Sequence, residues 1–232
     1  MKYSEMITRP LSYDDIIGKI QASEKFDISR YGDGELECMF HKRGRPMNSD
    51  LHKYYPDLGE ALIDVWKNWS NEPSYYLGLQ NLAFRQNTEV IMEYTEKYGI
   101  EWCGADVFHK ASMRGRINEL VDALKERDVI VIGNHHLKKL GFEHYEIPMK
   151  NAWKAYDRIV KYVEDNISEE KVIVYCCGMM ASVLVDYFAG EATQIDAGSC
   201  FDPYCGYMSR GYHFELPVPK GESSAYFKQR GK

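Results

Sequence analysis

The sequence predicts an α/β fold, with a mainly parallel sheet flanked by helices in a single domain. Two observations carry this reading. Val129-Ile130-Val131-Ile132-Gly133 and Val172-Ile173-Val174-Tyr175-Cys176-Cys177 are continuous apolar runs, the pattern of strands buried on both faces. Segments of strand and helix character also alternate along the chain at the spacing of β-α-β units. No repeat, low-complexity tract or linker divides the 232 residues, a length sufficient for one substantial core.

The elements follow in order. Tyr13 to Lys25 reads as an amphipathic helix with Ser12 as N-cap, Asp14 and Asp15 in the first turn, and Ile16, Ile17 and Ile20 as its apolar stripe. Phe26 to Arg30 reads as a short strand, and Glu35 to His41 as a helical turn or short helix. Asp57 to Trp69 carries apolar residues at helical period, Ser74 to Leu79 is a strand, and Asn87 to Tyr98 is another helix. Ile100 to Cys103 is a short strand and Ala105 to Lys125 mostly helix. After the Val129 strand, Tyr145 to Pro148 is a strand and Ala152 to Asn166 a helix. After the Val172 strand come a small-residue helix from Met179 to Phe188 and a last strand from Thr193 to Asp196. The expected domain covers residues 1–216, and the polar stretch from Pro217 to Lys232 reads as a C-terminal arm.

Composition narrows the class. The net charge of −6 would repel DNA or an acidic membrane, so a nucleic-acid partner is not indicated and would need a local basic patch such as Lys42-Arg43-Gly44-Arg45 or Lys138-Lys139. No apolar run reaches the roughly 18–20 residues of a membrane span. The first residues lack the apolar stretch of a signal peptide. Six scattered cysteines without zinc-finger spacing read as free, mostly buried thiols, and the expectation is a cytoplasmic protein.

In open parallel sheets, ligands bind outside the carboxyl ends of the strands. Four such ends carry suggestive residues: Arg30 to Glu35, Gly133-Asn134-His135-His136, Gly178, and Asp196 to Ser199. In a parallel sheet the four share one rim. In the first loop, Gly32 and Gly34 allow a tight turn and close backbone approach to a ligand. Asp33 and Glu35 are hard oxygen donors suited to Mg²⁺ or Mn²⁺. Arg30 offers a bidentate fork to phosphate or carboxylate. The same glycines and aspartate also suit an ordinary Asx-type turn. Neither a GxGxxG fingerprint nor a GK[ST] phosphate loop is present.

Ile28-Ser29-Arg30-Tyr31-Gly32-Asp33-Gly34-Glu35 resembles the R-[FY]-G-D-G-E signature of the GT-D glycosyltransferases, a bacterial and phage group first catalogued as a domain of unknown function. Ile147-Pro148-Met149-Lys150-Asn151-Ala152 is similar to that group's I-P-x-x-N-A segment, and Gln194 to Ser199 to its I-D-x-G ending. The resemblance covers most of residues 10–205 in the same order. Two departures stand out: Gly178 is followed by Met179-Met180 rather than proline and threonine, and Ser199 stands where histidine is common.

The resemblance implies a modified Rossmann-like fold and a transferase using a UDP-sugar, with a D-x-E pair near a metal and the diphosphate. Asp33 and Glu35 then become the catalytic, metal-binding carboxylates for Mn²⁺ or Mg²⁺; Asp196, in another strand-end loop, is a third catalytic candidate from its position. The expected donor contacts are Arg30, Tyr31, Gly32, Gly34, Asn134, His135, Asn151 and Gly178, although Asn151 suits a helix cap equally well. Asp106, His109, His135 and Asp196 are candidates for a general base. The acceptor stays open among glycan, protein and modified nucleic acid. Two competing readings are a metal-dependent phosphoesterase or nucleotidyl transferase, and a non-catalytic nucleotide-binding module.

Overall fold

The computed structural model describes residues 1–44, 52–211 and 213. The first third contains α1 (Tyr3–Met6), α2 (Tyr13–Gln21), β1 (Asp27–Tyr31), α3 (Asp33–Leu36) and α4 (Pro56–Lys67). Next come β2 (Tyr75–Leu79), α5 (Asn81–Gln86), α6 (Thr88–Tyr98), β3 (Trp102–Gly104), α7 (Val107–Met113) and α8 (Ile117–Lys125). The last third holds β4 (Asp128–Gly133), β5 (Glu143–Glu146), α9 (Tyr156–Asn166), β6 (Lys171–Cys176), α10 (Met180–Tyr187) and β7 (Thr193–Asp196).

All seven strands join one sheet in the order β3-β2-β1-β7-β6-β4-β5, and every ladder is parallel. Side chains along each strand alternate between two cores. Tyr31, Leu77, Ile130, Ile132, Ile173 and Tyr175 pack on one face with Leu62 and Trp66 of α4, Ile159 of α9 and Leu184 of α10. Ile28, Val129, Val131, Val172, Val174 and Ile195 pack on the other with Ile16 of α2, Phe108 of α7 and Leu120 of α8. The α/β expectation, with helices on both faces of a parallel sheet, is met.

Local chemistry sets the boundaries. Ser12 Oγ accepts from the Asp15 amide at 3.1 Å while Asp15 Oδ2 accepts from the Ser12 amide at 2.8 Å, a reciprocal cap on α2. That helix ends at Gln21 rather than Lys25 because Ser23 turns left-handed, at φ 55°. The long helix expected over Ala105 to Lys125 is two helices, broken where Gly115 adopts φ 71°. The expected short helix after the first loop is α3 followed by a π-helical turn over Glu37–His41. Helix α5 was not anticipated. The strand expected at Tyr145 to Pro148 begins two residues earlier, as β5, a largely solvent-facing edge strand without an apolar pattern.

All six cysteines are free and buried. Among the described residues, no helix is long and apolar enough to cross a membrane. Lys138 is paired with Glu146 at 2.8 Å and Lys139 donates to the Cys205 carbonyl at 2.8 Å, so neither offers an open basic patch. Arg45 and the arm at 217–232 lie outside the described residues.

Candidate functional site

The β1–β7 ladder pairs Asp27 with Gln194 and Ile28 with Ile195, and goes no further. Beyond it β1 continues to pair with β2, and β7 with β6. A cleft opens at the carboxyl edge where these two neighbours stop pairing, the place at which open α/β sheets receive ligands.

Arg30 bridges that gap. Its Nε donates to the Asp196 carbonyl at 2.6 Å and its Nη2 to Asp196 Oδ1 at 3.1 Å, while Nη1 reaches the Ala105 carbonyl at 3.5 Å. The guanidinium also sits 5.5 Å from the centre of the Phe108 ring. Burial pushes the Asp196 carboxyl above its ordinary value, and the Arg30 charge opposes that shift. Gly198, at φ 57°, donates its amide to Asp196 Oδ1 at 3.1 Å. A Cβ at Gly198 would run into the Arg30 guanidinium, so only glycine allows this approach. Arg30 therefore cannot turn both arms of its fork to a ligand while these bonds stand. This corrects the expected bidentate phosphate clamp.

The first loop is built differently from the sequence expectation. Neither Gly32 nor Gly34 has positive φ, and Gly32 is extended. What glycine supplies at position 32 is room. An added Cβ would lie 3.1 Å from Gln80 Oε1 and 3.2 Å from Glu35 Oε2. Gly34 is buried within α3. Glu35 Oε2 accepts from the Gly32 amide at 2.8 Å, which fixes the carboxyl across the start of α3. Burial, and secondarily the nearby Asp196 charge, push the Glu35 carboxyl upward.

The cleft has a volume of about 300 Å³. Of the residues expected to form the site, Arg30, Gly32, Asp33, Glu35, Gly178 and Asp196 line it. Asp106 and His109 join them from the end of β3 and the start of α7. Burial lowers the His109 pKa, favouring the neutral ring, and the nearby Asp106 charge opposes that shift. Two further lining residues escaped the sequence reading. Gln80, after β2, keeps Oε1 buried without a hydrogen-bond partner among the described residues. Arg210 reaches the cleft from the segment after β7.

The remaining expected residues lie elsewhere. Tyr31 is fully buried, its ring 5.1 Å from that of Trp66 and its hydroxyl donating to the Leu62 carbonyl at 3.1 Å. It belongs to the core, because strand alternation turns it away from the face that Arg30 occupies. His135 is three-quarters exposed and bonded to Glu146 at 3.0 Å, outside the cleft. Asn134 lines a smaller adjoining cavity of about 60 Å³, which shares Gly178, Gly198, Ser199 and Arg210 with the main cleft. Asn151, left-handed at φ 58°, stands at the start of the helical turn over Ala152–Ala155, but its side chain accepts from the Lys53 amide at 2.7 Å and makes no capping bond.

The fold is similar to that of a solved structure of domain of unknown function 1792, reported to have a distinct glycosyltransferase fold. The match has a TM-score of 0.57 at 18% identity, covering 97% of this chain and 95% of that one. The chain has a glycosyltransferase fold. A selenomethionine-substituted structure of the same domain matches with the same score and coverage. No family model and no curated protein matches the sequence. At 18% identity the likeness speaks for the fold alone, and the chemistry rests on the cleft.

Proposed function

We propose that this glycosyltransferase-fold protein is an enzyme that moves a sugar from a UDP-sugar to an acceptor, with Mg²⁺ or Mn²⁺ bound beside the diphosphate. The observation that carries the reading is the charge of the cleft. Four carboxylates, Asp33, Glu35, Asp106 and Asp196, face two guanidiniums, Arg30 and Arg210. Arg30 and Asp196 largely cancel each other. The excess acid would repel a diphosphate unless a divalent cation came with it.

The donor chemistry fits such a cation. Asp33, Glu35 and the unpartnered Gln80 Oε1 offer hard oxygens of the kind these ions take. Among the described residues no three His, Cys, Asp or Glu side chains converge as a closed metal cage. One or two carboxylates suffice for Mg²⁺ when substrate phosphates supply the remaining ligands. When bound, the cation would offset charge developing on the departing UDP. The Gly32 amide holds the Glu35 carboxyl in place. Asp106 and His109 line the cleft and are the candidates for taking the acceptor's proton, whereas Asp196 is committed to Arg30 and Gly198.

The test is a screen of nucleotide sugars with Mn²⁺ and no acceptor, identifying every product. Slow transfer to water should yield UDP and free sugar. Release of UMP and sugar 1-phosphate would instead mark a phosphoesterase. Absence of turnover with every donor, alongside nucleotide binding that ignores metal, would mark a non-catalytic binding module.

A further inference from the structure

We propose that Arg210 grips the diphosphate of the donor, an assignment that rests on the nucleotide-sugar reading above. Arg30, the arginine of the first loop, is held by Asp196 through both its backbone carbonyl at 2.6 Å and its carboxylate at 3.1 Å. The other guanidinium in the cleft is that of Arg210, which stands where the main cleft meets the smaller cavity and lines both. Among the described residues it pairs with no carboxylate. Among those residues its side chain makes one hydrogen bond, Nη1 to the Ser209 carbonyl at 3.5 Å, the outer limit of such a bond.

The backbone around Arg210 is, by contrast, firmly held. His213 Nδ1 accepts from the amides of Ser209 at 3.2 Å and Arg210 at 3.3 Å. Ser209 Oγ bonds to Asp202 Oδ2, and Asp202 Oδ1 bonds to His136 Nε2 at 2.8 Å. The His136 ring lies 4.5 Å from the Tyr207 ring, fastening the same segment to the loop after β4. Asp202 is 6% exposed, so this clasp is an interior feature. A fixed backbone that carries an uncommitted guanidinium into a cleft is the arrangement that bidentate phosphate recognition requires. Its charge would also act with the cation, from a different strand end, against the acid excess of the cleft. In this assignment Arg30 shapes the floor and Arg210 meets the ligand.

The experiment titrates UDP, UMP and uridine into the parent protein and into Arg210→Ala and Arg210→Lys by calorimetry with Mn²⁺, after thermal melting has checked that the variants fold. Arg210→Ala should lose about tenfold or more in UDP affinity, the worth of one charge-assisted hydrogen bond, with uridine affinity unchanged. Arg210→Lys should recover only part of the loss, since an ammonium restores charge without the fork. If the parent binds UDP and Arg210→Ala binds it equally well, the assignment is overturned and the nucleotide-sugar reading survives. An equal loss for uridine and UDP would make Arg210 structural and also overturn it. If the parent binds none of the three probes, the reading beneath the assignment fails with it.

Discussion

Arg30 Nη2 lies 3.1 Å from Asp196 Oδ1, and this pair joins β1 to β7 just past the point where their backbone ladder ends. The side chains are 19% and 6% exposed, so removing either would leave the other a largely buried charge without its ion-pair partner. Asp196→Ala should destabilise the fold by about 3 kcal/mol, as breaking a buried pair does, and a urea titration checks it. Asp196→Asn keeps an acceptor for Arg30 and should lose less.

Gly198→Ala adds two penalties at one position. The residue sits at φ 57°, and its Cβ would press on the Arg30 guanidinium. We expect a loss of about 1–3 kcal/mol, the range for a non-glycine residue forced into such a conformation. Equal stability of parent and variant would mean that Arg30 relaxes freely, contrary to its place as the floor of the cleft.

Tyr31→Phe separates a core role from a ligand role. The hydroxyl donates to the Leu62 carbonyl inside the α4 face of the core. Its removal should lower stability by about 1 kcal/mol, a typical net value for one hydrogen bond. Affinity for UDP should not change; a weakened titration at intact stability would restore Tyr31 to the site.

The residues that were legible in the sequence share a physical reason. β4 and β6 are central strands, so burial on both faces writes continuous apolar runs into the sequence. The loops at Arg30, Gly178 and Asp196 meet because parallel strands place their carboxyl ends on one rim. β5 left no such mark, being an edge strand whose side chains mostly face solvent. Tyr31 belongs to the core although it sits inside the motif, because successive residues of a strand point to opposite faces. Gln80 and Arg210 could not be found from spacing. Each is a single polar residue brought to the cleft by packing, Gln80 at the end of β2 and Arg210 by the Asp202 clasp.

At the start of β1 and outside the cleft lining, Asp27 predicts how stability follows pH. Burial pushes its carboxyl up to about 7, although it accepts from the amides of Gly190 at 2.8 Å and Gln194 at 3.2 Å. In the unfolded chain an aspartate titrates near about 3.9. Between those values the folded state keeps a proton that the unfolded state releases, so stability falls as pH rises through the window. Asp186, pushed up to about 6 by burial, adds to the same slope. Burial lowers the His213 pKa to about 4, which works in the opposite direction over the same range. The Asp27 contribution is therefore read as a difference: the gap in urea midpoint between the parent and Asp27→Asn should narrow as pH rises from 4 to 8. That variant should also be less stable by about 1–3 kcal/mol at low pH, because its amide nitrogen replaces an acceptor facing a backbone N–H.

The central claim is a metal-assisted UDP site at Asp33 and Glu35. Calorimetric titration of UDP with and without Mn²⁺, into the parent and Asp33→Asn, tests it most directly. The account predicts Mn²⁺-dependent binding by the parent that weakens by about tenfold or more in Asp33→Asn, as the loss of a charged ligand requires. Equal, metal-independent binding by both proteins, or binding by neither, would contradict it.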